Sequence, residues 1–166
     1  MVDEGLLTRD DALVRIEPAQ LDHLLHPTLD PSAELDVLAT GLAASPGAAS
    51  GHVVLDADTA AARGAAGDDV ILVRWETSPD DIHGLVAAKG ILTAHGGIAS
   101  HAALVARGLG KPCVAGCETL TMDLDARVAT IGGRTVAEDT VITLDGATGR
   151  VALGEVALVP ARLSAE

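Results

Sequence analysis

A histidine at the start of a helix, beside a glycine turn, is the arrangement in this sequence that holds the most chemistry. Gly90 to Cys117 reads GILTAHGGIASHAALVARGLGKPCVAGC. Ile91–Ala94 is a short apolar run between Gly90 and the Gly96-Gly97 pair, the pattern of a buried strand followed by a tight turn. Ser100 is placed to cap a helix over Ala102–Arg107, which Gly108 and Gly110 then stop. Lys111-Pro112 leads into a second apolar run, Cys113–Ala115. His101 therefore falls in the first turn of a helix. Free amides and the positive end of the helix dipole make such a place attractive to anions, phosphate included. Histidine, with a reference pKa of about 6.5, is mostly uncharged at neutral pH and can form covalent intermediates. The chemistry that suits this placement is acceptance of a phosphoryl group by His101. Arg107 lies nearly two helical turns further on; spacing alone leaves open whether it reaches a phosphate there.

Other residues with chemical potential have plainer readings. His95 reads as an exposed loop residue, and His23, His26, His52 and His83 as structural or solvated. Asp80 and Asp81 suit a charged helix start; as neighbours on a helix they point in different directions and do not make a carboxylate pair. Cys113 and Cys117 are spaced more widely than a C-x-x-C redox pair. With His95 and His101 they compose a conceivable zinc set, but the apolar setting of Cys113 favours packing, so no metal ligand is assigned. No Walker-type phosphate loop is present.

The elements that must position His101 are legible as alternating patterns. His52–Leu55 and Val70–Val73 read as strands, with a short helix over Thr59–Arg63 between them. Thr77 or Ser78 caps a helix that has Pro79 at its first position and runs to about Lys89. After Cys117 come short strand patterns at Arg127–Ile131, Thr135–Val136, Val141–Leu144 and Val151–Leu153, with hairpin turns at Gly132-Gly133 and Asp145-Gly146. Strands alternating with helices, then a meander, predict an α/β fold: a parallel sheet with an antiparallel sheet beside it. Residues 1–40 read as a helical linker and docking arm. Thr8 caps one helix there, Ala19–Leu25 forms another, and HPTLDP (26–31) is an irregular break. The main domain is expected over 41–158, and a C-terminal linker is expected to begin at 159.

Composition narrows the function classes. Apolar residues make up 48% of 166, enough for a packed core. Trp75 is the sole aromatic residue, so base-stacking nucleic-acid modules are disfavoured. A net charge of −13 repels nucleic acid and anionic membranes alike. No apolar run is long enough to span a bilayer, and the acidic N-terminus lacks the apolar stretch of a signal peptide. A cytoplasmic location is the default expectation, with both cysteines as thiols.

The stretch GGIASHAALVARGLGKPCVAGC resembles the phosphohistidine motif of the phosphoenolpyruvate-utilising enzymes. LVRWETSPDDIHGLVAAKGILT upstream, VDEGLLTRDDALVRIEPAQLDHLLHP at the N-terminus and GLAASPGAASG between them resemble the dikinase branch of that family. The resemblance implies a swivelling β/β/α domain in which His101 carries the phosphoryl group on Nε2, supported by Gly96, Gly97, Ser100 and Arg107. It implies as partners a nucleotide-binding domain and a pyruvate-binding TIM-barrel domain, acting together on ATP, phosphate and pyruvate. Magnesium would be bound outside this chain. The family usually has threonine where this chain has Ala99, so a regulatory phosphorylation at that hydroxyl is not expected here. Two alternatives stay open: a synthase-like relative that uses water in place of phosphate, and a non-catalytic metal or interaction module.

Overall fold

The computed structural model of the protein describes residues 25–160. The helix expected from Arg9, and all but the last residue of the one expected over Ala19–Leu25, lie outside them. The described chain begins with three strands, β1 (Thr28–Leu29), β2 (Asp36–Thr40) and β3 (Leu42–Ser45). It then alternates: β4 (Ala48–Val54), α1 (Ala57–Ala65), β5 (Val70–Arg74), α2 (Ile82–Ala87), β6 (Gly90–Thr93), α3 (His101–Leu109) and β7 (Cys113–Ala115). Six strands close it: β8 (Leu120–Asp123), β9 (Val128–Ile131), β10 (Arg134–Ala137), β11 (Val141–Asp145), β12 (Arg150–Leu153) and β13 (Leu158–Val159).

The architecture is mixed α/β. An eight-stranded sheet has the order β2-β12-β11-β4-β5-β6-β7-β3, and β4 to β7 within it run parallel. These central strands are apolar at almost every position because both faces of the sheet are covered. The alternation of side chains divides them between two cores. Val70 and Leu72 face one way, packing with Ala60, Leu85, Ala102, Ala103 and Ala106 of the helices. Ile71 and Val73 face the other way, with Leu120, Ala129, Ile131 and Val136 of the three-stranded sheet β8-β9-β10. No helix of the described residues is long and apolar enough to cross a membrane.

The closing meander does not stay together. Strands β8 to β10 form the small covering sheet, with the β9–β10 hairpin turning at Gly132-Gly133, whose φ values of 60° and 81° suit a type I′ turn. Strands β11 and β12 return to the large sheet, β11 antiparallel to β4. The burial patterns give the reason. In β10 only Val136 is buried, which suits a sheet with one wet face, whereas β11 is buried at four successive positions and needs cover on both sides.

Three readings at the ends and edges are corrected. Asp36–Thr40, placed with the arm, is an edge strand of the large sheet paired with β12. The supposed irregular break contains β1, which pairs antiparallel with β13, Leu158–Val159. The helix expected from Pro79 to Lys89 is a 3₁₀ turn, Pro79–Asp81, and then the shorter α2. Lys111 helps stop α2, because its ammonium donates to the carbonyls of Leu85, Val86 and Ala88, the orphan acceptors of the last turn. Burial pushes the Lys111 pKa down, and the nearby charge of Lys89 acts in the same direction.

Small residues let α1 and α2 meet closely. A Cβ on Gly84 would stand 2.6 Å from Ala57 Cα, too near for any real contact. Asp56 caps α1, accepting from the Thr59 amide at 2.7 Å, and also takes the Arg127 guanidinium at 2.6 Å. Arg127 pairs with Glu138 at 2.6 Å as well, tying the helix layer to the small sheet. Burial alone would raise the Asp56 pKa, but the Thr59 and Arg127 hydrogen bonds outweigh it and hold the carboxyl below 3.8.

Gly84→Ala should destabilise the fold by about 1–3 kcal/mol, through forced separation of α1 and α2, measured by denaturant unfolding. Asp56→Ala should lose roughly 1–2 kcal/mol at pH 7. Because the folded-state pKa is depressed, that contribution is present above the ordinary carboxylate value of 3.8 and is lost as pH falls through the folded pKa. The gap between parent and variant should therefore shrink in acid-unfolding curves; a gap constant with pH would contradict the assignment.

Candidate phosphoryl-acceptor site

The site lies beyond the carboxyl ends of β5 and β6, where open parallel sheets generally hold their ligands. Backbone pairing runs past both strands: the Ala94 amide donates to the Arg74 carbonyl at 3.1 Å, and that of His95 to the Trp75 carbonyl at 2.8 Å. The loop after β5 and the glycine loop after β6 are thereby held side by side. Gly96 has φ +108°, a conformation that disfavours any side chain, and a Cβ there would meet Ser100 Cβ at 2.9 Å. Gly97 has open space around its Cα and no positive φ, so its contribution is its carbonyl, which accepts from the Ser100 amide at 3.0 Å. Ser100 caps α3 as the sequence predicts, its hydroxyl accepting from the Ala103 amide at 3.4 Å. Gly110, left-handed at φ 68°, ends the helix.

His101 is the first residue of α3 and is half-buried, with an opening to solvent. Its Nδ1 stands 3.3 Å from the Thr77 hydroxyl, on the loop after β5. When Nδ1 carries the proton and donates to Thr77, Nε2 keeps its lone pair and is the nucleophilic nitrogen. Sequence reading treated Thr77 only as a helix-cap candidate. No local spacing links two residues 24 apart; only the neighbouring strands bring them together.

For Arg107 the structure supplies a contact that spacing leaves open. Its guanidinium donates to the Ile98 carbonyl, so it bolts the glycine loop onto α3 from an exposed position. His95 is exposed as expected, but its ring is stacked on Trp75, with centroids 6.1 Å apart and planes 3° from parallel. Cys113 and Cys117 are buried free thiols in the two cores. Burial pushes the Cys113 pKa up to about 12, against a smaller opposing effect of Arg107, and burial raises Cys117 too. Among the described residues no group of three or more His, Cys, Asp or Glu side chains is placed to hold a metal ion.

An imidazole at a helix start, beside a glycine loop and partly open to solvent, is the arrangement that the α/β body presents here. The chain belongs to the family described as PEP-utilising enzyme, mobile domain, which it matches over residues 66–149. It is similar to the pyruvate, phosphate dikinase of Rhizobium meliloti, with 48% identity over 166 residues covering 100% of this chain and 18% of that protein. The Clostridium symbiosum pyruvate, phosphate dikinase is 49% identical, over 99% of this chain and 19% of its own length. The chloroplastic pyruvate, phosphate dikinase 1 of Arabidopsis thaliana is 52% identical, over 99% and 17%. The chain thus spans less than a fifth of the length of these relatives.

Thr77→Val, which removes the hydroxyl and keeps the shape, should shift the tautomer balance of His101 with stability changed by about 1 kcal/mol or less. Nitrogen chemical shifts of the ring report that balance directly; shifts identical to those of the parent would show that Thr77 does not orient the imidazole.

Proposed function

We propose that this chain is the phosphoryl-carrying domain of a pyruvate, phosphate dikinase, with His101 as the carrier. The observation that carries this reading is the half-exposed His101 at the start of α3, its Nδ1 facing Thr77 and its other nitrogen left available. In the first half-reaction Nε2 attacks the β-phosphorus of ATP: the N–P bond forms as the bond from that phosphorus to the AMP oxygen breaks, and AMP leaves. An oxygen of inorganic phosphate then attacks the terminal phosphorus, the P–O bond to the histidine-bound phosphoryl group breaks, and pyrophosphate leaves with a single phosphoryl group kept on Nε2. Throughout, the Nδ1 proton stays on the ring, hydrogen-bonded to the Thr77 oxygen. The amides of the first turn of α3 and the dipole behind them favour the incoming negative charge. In the second half-reaction the enolate oxygen of pyruvate takes the phosphoryl group, the N–P bond breaks and phosphoenolpyruvate leaves. Summed, ATP, phosphate and pyruvate give AMP, pyrophosphate and phosphoenolpyruvate, reversibly.

In this reading the nucleotide and pyruvate sites belong to further domains, a nucleotide-binding domain and a TIM barrel. Magnesium is held there with the substrate phosphates; the described residues offer no carboxylate cluster for it. Gly96 and Ser100 shape the acceptor loop, the Gly97 carbonyl and Arg107 brace it, and the free N–H groups of Arg107 are available to an arriving phosphate. The domain division proposed is an N-terminal arm, a carrier body from β2 onward, and a linker after β13. The body is read as a swivelling one because the first and last described strands meet: Thr28 pairs with Val159. Pro27 and Leu158 share a groove with Asp69 and Lys89, before the amino ends of β5 and β6, so both described ends are at the edge away from His101. A cytoplasmic location is part of the same proposal.

The chain incubated with the nucleotide-binding domain, ATP and phosphate should acquire one acid-labile phosphoryl group, seen as an Nε2-phosphohistidine phosphorus resonance and absent in His101→Gln. No resonance in the parent, or one that persists in His101→Gln, would remove the proposal. Dependence on inorganic phosphate separates it from a synthase-like carrier.

A further inference from the structure

We propose that Trp75, with His95 stacked on it and Ile98 beside the glycine loop, is the anchor by which the His101 face seats on the nucleotide-binding domain. This deepens the carrier reading above and rests on it. Trp75 is the sole aromatic side chain among 166 residues, and it is 54% exposed instead of filling the core. It stands two residues before Thr77, on the loop whose threonine hydroxyl faces His101. The two residues are tied together: the His95 amide donates to the Trp75 carbonyl, and the two rings are parallel. Ile98 is 58% exposed on the loop that Arg107 braces, and Leu104, one turn along α3 from His101, is exposed as well. Trp75 and Ile98 thus lie on the two loops that the Trp75–His95 backbone pairing holds side by side. Exposed apolar groups on neighbouring loops mark a contact surface, and tryptophan is among the side chains that most often dominate one.

Length and charge identify the occupant. More than four fifths of each relative lies outside the region this chain matches, so the enclosing walls that His101 lacks have polypeptide to come from. Around the site Glu76, Asp80 and Glu118 are exposed, with Arg107 as the exposed cation among them, in a chain of net charge −13. The complementary surface is an apolar socket with a basic rim. A pocket that binds ATP together with inorganic phosphate must neutralise more negative charge than one that binds phosphoenolpyruvate, so its rim is the more cationic of the two. The acidic surround of Trp75 therefore matches the nucleotide side.

Two measurements test this. Grown with 5-fluorotryptophan, the chain has a single fluorine resonance, because it has one tryptophan. Titration with the unlabelled nucleotide-binding domain should shift or broaden that signal; an unmoved signal at saturation overturns the proposal. A signal that moves with chain concentration alone points to a second copy and overturns it too. In the second measurement His101 is loaded by two routes, from ATP and phosphate through the nucleotide-binding domain and from phosphoenolpyruvate through the pyruvate domain. Trp75→Ala and Ile98→Ser should each slow the first route about tenfold more than the second, with Trp75→Phe recovering most of the loss. Equal slowing of both routes, or of neither, in variants that melt at the parent temperature overturns the inference. A parent chain that loads by neither route overturns the carrier reading itself.

Discussion

Cover on both faces of four parallel strands, achieved without aromatic side chains, is the constraint from which the rest of the molecule follows. Val70 and Leu72 need a partner on one side, and Ile71 and Val73 on the other. Aliphatic and small residues must fill both spaces at close packing, so the covering elements come in very near. Gly84 and Gly64 let α1 and α2 approach until a single methyl would not fit, and the Ala102, Ala103 and Ala106 stripe presses α3 onto the sheet. That stripe sets the direction of α3, and with it the place where the helix begins. The apolar packing of one helix face thus decides where the His101 imidazole stands.

The second determinant is register. Parallel pairing sets Arg74 against Thr93, and the backbone pairing continues one and two residues further. Two loops with no resemblance in sequence then emerge at the same edge, and a threonine from one meets a histidine from the other. A parallel sheet makes such meetings repeatedly, because every strand delivers its following loop to the same side. The glycine turn is needed because the chain must reverse quickly between β6 and α3, and at Gly96 a side chain would collide with the serine that caps the helix.

Charge and exposure divide the surface into working regions. The ion pairs of Asp56, Arg127 and Glu138 join the helix layer to the small sheet. Around His101 the surface is acidic and partly apolar, and it is open. Near the opposite strand ends the first and last described strands are zipped together. The two described ends of the chain therefore meet at one edge of the body, and His101 stands at the other.

Much of this was legible in the amino-acid order. The Ile91–Cys117 motif specifies strand, turn, capped helix and strand through local signals: apolar runs, a glycine pair, a serine cap and a glycine stop. Those signals act over a few residues and survive translation into structure almost unchanged, as α3 from His101 to Leu109 shows. Strand partners were not legible. Asp36–Thr40 has little that marks it as an edge strand, and the exchange of β11 and β12 into the large sheet depends on which faces need cover. The Thr77–His101 contact, the stacking of Trp75 on His95, and the use of Arg107 as a brace on the glycine loop likewise came only from tertiary structure. The physical reason is common to all of these. Local order follows from short-range backbone and capping energetics written in adjacent residues, whereas the meeting of distant side chains follows from sheet register and two-sided burial, properties of the whole assembled sheet.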